Sequence, residues 1–429
     1  MRTGSIHVRG GAQLSGEIAV EGAKNSALKL MAAALLAPGV SRISNVPDIA
    51  DVDVMSEVIT GLGARVKRSD HALEIDATQI TSVETPYEVV ARMRASITVL
   101  GPLIARMGRA HVAMPGGCNI GSRKIDMHIR GLESLGARIE FEHGYIAAHA
   151  PADGFEGTHV TLDFPSVGAT ENLLMASVRA RGTTVIENAA REPEIQDLAD
   201  FLNAMGARVD GAGSPVITVQ GVESLHPADH VVVGDRIEAG TLLVGGALGG
   251  GPVTVRGFRP AHLDMVLSKL EQAGCSLRRL DDGCTIECQR PIAPVDIQTL
   301  PYPGFPTDMQ PQLMVLLALA EGSSVITENV FESRFMFADE LVRMGADIRI
   351  DGHHALIKGV ERLSGAPVIS PDLRGGAALV LAGLVAEGET IVGDVHHIDR
   401  GYERFVDKLA ALGADVRFVE ESPVEPHGC

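Results

Sequence analysis

Six times along the chain an amphipathic run ends in Leu-Gly-Ala, or a close variant, and gives way to alternating apolar and polar residues. The copies read "VITGLGARV" at Gly63, "GLESLGARI" at Gly136, "FLNAMGARV" at Gly206, "LEQAGCSL" at Gly274, "LVRMGADI" at Gly345 and "LAALGADV" at Gly413. Each predicts a helix, a glycine stop and a strand: the glycine sits where a helix C-terminus turns left-handed, and period-two alternation follows. Upstream lies a second helical run, again closed by glycine and a strand, as in "LLAPGVSRISNV", "VRARGTTVIENA", "LALAEGSSVITENV" and "GLVAEGETIVGDV". Each unit therefore reads helix–strand–helix–strand with further strands nearby, and the units recur about every 70 residues. That is the mark of a supersecondary unit copied along the chain. The fold class is mixed α/β. Seventy residues is long for a solenoid repeat, so two globular domains of three units each are expected. The boundary is placed in "GVESLHPADHVVVGD", Gly221–Asp235.

Composition narrows the class of protein. With 429 residues and 45% hydrophobic positions the chain can bury a large core. No stretch approaches the ~18 uninterrupted apolar residues of a membrane span. The start, "MRTGSIHVRGG", has no apolar h-region, so no secretion is expected. Five cysteines, few and odd in number, argue against a disulfide framework and fit a cytoplasmic protein. A net charge of −18 and 3% aromatic residues without tryptophan disfavour nucleic acid, which needs a positive field and stacking surfaces. An anionic ligand would have to be drawn by locally concentrated arginines.

Candidate chemistry is dispersed. "EGAKNSAL" puts Lys24 and Asn25 at a helix entrance, where a lysine is either an anion site or a solvated charge. "VARMRASITVLGPL" puts Arg94 just before an apolar helix, either snorkelling or meeting an anion. "MPGGCNIGSRKID" sets Cys118 among glycines with Arg123 close behind. A free cysteine is usually a small buried hydrophobe, but a glycine-rich loop with a neighbouring cation favours chemistry. Cys284 and Cys288 share one face of an alternating strand and read as core packing. Asp308 in "YPGFPTDMQPQ", Arg334 in "ENVFESRFM", Asp372 and Arg374 in "SPDLRGGAALVLAG", and Arg400 in "HHIDRGYERF" complete the set. Basic residues near helix starts oppose the macrodipole, so stability does not explain their recurrence, whereas a shared anionic ligand does. No HExxH, zinc spacing or GxGxxG motif signals a metal or an organic cofactor.

Taken together, "EGAKNSAL", "MRASITVLGPL", "PGGCNIGSR", "NAAREPEI", "FPTDMQ", "ENVFESRFM" and "HIDRGYER" closely resemble the UDP-N-acetylglucosamine 1-carboxyvinyltransferases, from about Gly10 to Phe418. The resemblance implies an inside-out α/β barrel of two domains, each of three βαβαββ-type units. Residues 1–22 plus 233–429 would form one discontinuous domain, residues 23–232 an inserted one, and the active site the cleft between them. It implies transfer of enolpyruvate from phosphoenolpyruvate to the 3′-hydroxyl of UDP-N-acetylglucosamine, with release of phosphate, at the start of peptidoglycan precursor synthesis. By similarity Lys24, Arg123 and Arg400 hold the phosphate, while Arg94, Arg334 and Arg374 face the substrates. Asp308 is the base, and Cys118 the general acid on a lid loop and the target of fosfomycin. Asn25, Val330 and Asp372 resemble further substrate-binding positions; Asp126, Met127, Ser166, Val167 and Gly168 resemble the nucleotide pocket. No cofactor is implied; the oligomeric state is open, and a monomer is compatible. Two departures stand out. Phe164 replaces a lysine found two residues before the pocket serine in some members, and Gly375 and Gly376 after Arg374 are expected to loosen that helix entrance. Two other readings remain: transfer to another nucleotide acceptor, and a non-catalytic UDP-sugar-binding protein.

Overall fold

The six glycine stops all take the left-handed conformation, with φ between +95° and +107° at Gly63, Gly136, Gly206, Gly274, Gly345 and Gly413. A side chain at this φ is strained, so glycine ends each helix at the right place. A computed structural model describes residues 4–90, 92–114, 125–289 and 291–420. The helices closed by these stops are α2 (Ala50–Gly61), α4 (Asp126–Ser134), α6 (Pro193–Ala204), α8 (Asp264–Gln272), α10 (Ala338–Arg343) and α12 (Phe405–Ala411). Alternating with them along the chain are α1 (Lys24–Ala33), α3 (Leu100–Met107), α5 (Val167–Ser177), α7 (Arg236–Gly249), α9 (Gln310–Leu317) and α11 (Leu373–Val385).

The two sets differ in how they meet water. In α7, α9 and α11 nearly every residue is buried, as suits helices that are apolar all round, and the three pack on one another. The glycine-stopped helices bury only one stripe. Strands such as Ser323–Thr327 and His354–Lys358 alternate buried and exposed positions, so each sheet turns one face to the helices and one to solvent.

After each of the first five stops the chain makes an antiparallel hairpin, for example Arg65–Ser69 with Ala72–Asp76 and Asp347–Asp351 with His354–Lys358. Among the described residues, the sixth unit has one strand after its stop, Asp415–Glu420. Its missing partner is the N-terminal strand Gly4–Arg9, in the register Gly4↔Glu420 to Arg9↔Asp415. A similar exchange supplies two parallel edge strands. Gly16–Ala19 pairs with Val253–Arg256, and Asp229–Val231, inside the stretch placed as the domain boundary, pairs with Val40–Ser44. The hydrophobic residues form two clusters. One joins Ile6, Val8, Leu14 and Val20 to residues from Ile237 onward; the other runs from Ala27 to Val232. The chain passes between them twice, and the passages are stitched together by the Gly22↔Gly234 bridge and the Ala23 N–H to Val233 carbonyl bond of 2.7 Å.

The cysteines require a correction. Cys275 and Cys288 form a disulfide, so Cys288 is not simply a packing residue beside Cys284. The reason is register: Ser276 pairs with Glu287 across the hairpin, which brings Cys275 opposite Cys288 one step further out. Cys284 does lie on the buried face as a free thiol, and burial pushes its pKa up to about 11. Among the described residues, no helix is long and apolar enough to cross a membrane.

Candidate active site

Lys24 is the first residue of α1, buried where the two passages meet. Its backbone N–H is bonded at 3.1 Å to Asp235, whose other carboxylate oxygen caps α7 through the Ile237 and Glu238 N–H groups. One carboxylate thus caps the N-termini of two helices, one from each hydrophobic cluster. The Lys24 ammonium lies 2.8 Å from Asp51 in the first turn of α2. Arg400, closing the 3₁₀ turn Val395–Arg400, reaches the same carboxylate through Nε at 2.9 Å. Burial lowers the Lys24 pKa; Asp51 opposes this, and Arg400 and Arg374 reinforce it. Burial alone would raise the pKa of Asp51, but the two cations outweigh it and hold the carboxyl below its ordinary value.

Beside this cluster stands a second. Asp308, in the 3₁₀ turn Thr307–Met309 ahead of α9, is held between Arg334 Nη2 at 3.2 Å and Arg374 Nε at 3.3 Å. Arg334 is only 2% exposed. Arg374 lies in the first turn of α11 with its guanidinium 5.0 Å from the centre of the Tyr402 ring. Its pKa is raised: burial works against the charge, and Tyr402 and Asp308 overcome it. Asp372 caps α11 through the Arg374 and Gly375 N–H groups, and among the described residues its second, buried oxygen has no partner. The two clusters are adjacent: a Cβ at Gly401 would stand 3.1 Å from Lys24 Cδ and 2.8 Å from Leu373 Cδ2, the residue before Arg374, and would have to push both side chains aside.

The glycines after Arg374 do not loosen the helix entrance. A Cβ at Gly376 would meet Ser370 Oγ at 2.0 Å, and one at Gly375 would meet Asp372 Oδ2 and Phe337 Cβ at 2.9 Å. Both are there because α11 is pressed against its neighbours.

A third group is built on elements of the Ala27–Val232 cluster. Ser166 caps α5 by accepting from the Ala169 N–H, with Val167 and Gly168 next in line. Gly168 faces His128, whose ring a Cβ there would approach to 2.9 Å. His128 follows Asp126 and Met127, the half-buried start of α4. Burial and then Arg94 lower the His128 pKa to about 4, so this ring is neutral at physiological pH. Arg94 opens the 3₁₀ turn Arg94–Val99. Phe164 is 40% exposed. The Val330 N–H is bonded at 2.8 Å to Glu328, which also accepts from Thr307 beside Asp308. Asn25 is half-buried in the first turn of α1. Cys118 and Arg123 lie outside the described residues, in the segment 115–124 between Met114 and Ile125.

Several organising residues escape a sequence reading. Asp51, in "DIADVDVM", looks like any first-turn acid. Glu328 accepts from the Thr299 and Thr307 hydroxyls and from the Val330 and Phe331 N–H groups, tying the turn before Asp308 to the Val330 loop. Arg236 lies in a buried bidentate bridge to Glu194, and Glu194 belongs to the quoted motif "NAAREPEI".

Comparison with known proteins places this geometry. Residues 8–409 match the family described as EPSP synthase (3-phosphoshikimate 1-carboxyvinyltransferase). UDP-N-acetylglucosamine 1-carboxyvinyltransferase of Corynebacterium jeikeium (strain K411) is 54% identical over 417 residues, covering 97% of this chain and 99% of the relative. The enzyme of the same name from Mycolicibacterium paratuberculosis (strain ATCC BAA-968 / K-10) is 54% identical over 419 residues, covering 96% and 99%. Among solved structures, the enolpyruvyl transferase NikO from Streptomyces tendae superposes with a TM-score of 0.88 at 27% identity, over 98% of this chain and 100% of its own. With full-length identity above half to proteins of one name, this chain belongs to the UDP-N-acetylglucosamine 1-carboxyvinyltransferase family, within the wider EPSP synthase family.

Proposed function

We propose that the protein transfers enolpyruvate from phosphoenolpyruvate to the 3′-hydroxyl of UDP-N-acetylglucosamine and releases phosphate, the first committed step of peptidoglycan precursor synthesis in the cytoplasm. The observation that carries this reading is the juxtaposition of a buried two-cation site, Lys24 and Arg400, with a carboxylate, Asp308, held between two guanidinium groups. Phosphoenolpyruvate needs fixed cations for its phosphate and carboxylate, and a sugar hydroxyl needs a base within reach. Lys24 and Arg400, with Arg123, take the phosphate; Arg334 and Arg374 orient the carboxylate end; Arg94, Asn25, Asp372 and Val330 complete the substrate surface. Asp126, Met127, Ser166, Val167 and Gly168 form the nucleotide pocket, with the α5 N-terminus toward the anionic part of the ligand.

In the addition step, Asp308 accepts the proton of the sugar 3′-hydroxyl while that hydroxyl's oxygen bonds to C2 of phosphoenolpyruvate, and in the later elimination Asp308 gives this proton to the departing phosphate. Cys118 gives its proton to C3, and a tetrahedral ketal results. Elimination then returns a C3 proton to the enzyme as the C2–O bond to phosphate breaks. The burial pattern supports an inside-out α/β barrel: apolar helices inside, sheets with a wet face outside, and two domains made of residues 1–22 plus 233–429 and of residues 23–232, with the reaction in the cleft between them.

A second reading is transfer to a different nucleotide acceptor; the likeness to the enolpyruvyl transferase NikO, at a TM-score of 0.88 but 27% identity, shows the same fold carrying enolpyruvyl transfer in a more distant sequence. Phosphate release from phosphoenolpyruvate distinguishes the two when UDP-N-acetylglucosamine and other nucleotides compete as acceptors. Release that requires UDP-N-acetylglucosamine and collapses in Cys118→Ala and Asp308→Ala supports the main reading. Release only with another nucleotide transfers support to the second, and binding of UDP-N-acetylglucosamine with no release from any acceptor sinks both.

A further inference from the structure

Away from the two charge clusters, a buried ion pair joins α1 to α5. Lys29 Nζ lies 3.5 Å from Glu171 Oε2. Both side chains are buried, and Glu171 is fully so. Among the described residues, neither oxygen of Glu171 has a hydrogen-bond partner other than the Lys29 ammonium. Among the described residues, Lys29 is the only cation paired with it. Burial pushes the Glu171 carboxyl up to about 7; Lys29 pulls against this, and Glu194 and Glu192 at the start of α6 add to it. Such a pair does not pay for its desolvation. Breaking it would be costly, but replacing both partners with apolar side chains of similar volume is typically neutral or stabilising. Stability therefore does not account for it.

Position does. Lys29 donates at 3.3 Å to the carbonyl of Asn25, one turn back in α1 beside Lys24. Glu171 sits one turn into α5 from Val167 and Gly168. Its neighbour Asn172 accepts from the Gly101 N–H, donates to the Ile97 carbonyl in the turn that begins at Arg94, and contacts His128 at 2.8 Å. A single buried link thus runs from the α1 end that carries Lys24 and Asn25 to the α5 end that carries Ser166, and onward to Arg94 and α4.

We propose that Lys29 and Glu171 are positioning residues that fix the donor-phosphate end of α1 against the nucleotide-pocket end of α5, so that the two substrate sites share one geometry. The proposal rests on the function proposed above. It predicts that removing the pair, itself away from the reacting atoms, misplaces Lys24 and the nucleotide pocket, where small displacements cost rate.

The test uses the full chain with Lys29→Met, Glu171→Gln and the double variant Lys29→Met/Glu171→Leu. The single variants leave one buried charge unpaired and are expected to melt at lower temperature. The double variant is expected to fold with about wild-type stability, yet to lose roughly ten- to a hundredfold in kcat/KM, with KM raised for both substrates. Hydrogen exchange of the ligand-free protein reads the coupling without turnover: peptides covering α1 and α5 should both exchange faster in each single variant, although each change lies on one helix. Wild-type kinetics in a stable double variant would overturn the proposal, because a purely structural pair leaves the KM values where they were. So would an exchange change confined to the substituted helix. If the wild type releases no phosphate, the functional reading falls, and the exchange pattern alone decides whether the two helices are coupled.

Discussion

Asp51 offers the sharpest test of the charge arrangement. It is buried, 2.8 Å from the Lys24 ammonium and 2.9 Å from Arg400 Nε. Asp51→Asn keeps the shape and one acceptor but leaves two buried cations facing each other. Breaking a buried pair costs roughly 3–5 kcal/mol, and the retained amide puts this variant near the lower end, about 3 kcal/mol. For a cooperative unit of roughly 200 residues that is about 6–12 °C in melting temperature. The same change raises the net charge of the trio by one, so inorganic phosphate should bind more tightly; each tenfold gain adds about 1.4 kcal/mol of stabilisation at saturating ligand. Thermal melts at low ionic strength, with and without phosphate, measure both terms. The sign with pH is fixed as well. The folded-state pKa of Asp51 lies below its ordinary 3.8, so its stabilisation is present above that pH and fades only as acid takes it through the lower value. The reasoning fails if the variant melts at the wild-type temperature without phosphate, or if phosphate stabilises it less than the wild type.

Two further outcomes are expected. Asp235→Ala removes the acceptor shared by Lys24, Ile237 and Glu238, with bonds of 3.1, 2.8 and 2.9 Å; calorimetry should show a loss of about 1–3 kcal/mol, and KM for phosphoenolpyruvate should rise, with partial recovery in Asp235→Asn. Glu238, paired with Lys408 at 2.7 Å, has its pKa pushed up to about 7 by burial against the pull of Lys408. The unfolded carboxyl, near 4.5, gives up its proton first, so the stabilisation is whole below about pH 4.5 and is lost as pH rises through about 7. Glu238→Gln should therefore flatten part of the fall in melting temperature between those values, with Glu171 supplying another part; an unchanged slope would contradict the assignment.

Much of the site was legible because its cations stand at element starts. Lys24, Arg94 and Arg374 open or nearly open their helices, and Asp308 stands in the turn before α9, each flagged by its own local motif. Asp51 and Glu328 were not legible, because their significance lies in partners outside their own local motif: Arg400 is 349 residues from Asp51, and Thr299 is 29 from Glu328 across the sheet. The cysteines show the same limit. Shared parity put Cys284 and Cys288 on one face, which is correct, but the disulfide depends on which residue lies across the hairpin. Gly375 and Gly376 read as slack because a missing side chain says nothing about what stands beside it; Ser370 and Phe337 do.

Local rules alone determined the periodic skeleton: six helices ended by six left-handed glycines, each followed by a strand. These features depend on backbone sterics and side-chain alternation within a few residues, which the chain states directly. Tertiary structure decided the exchanges. The N-terminal strand completes the sixth sheet, Asp229–Val231 returns to the first, one carboxylate caps α1 and α7, and Lys29 meets Glu171. Each of these joins groups far apart in sequence, and their energy comes from burial and from satisfying buried polar atoms, which exist only once the two cores have formed.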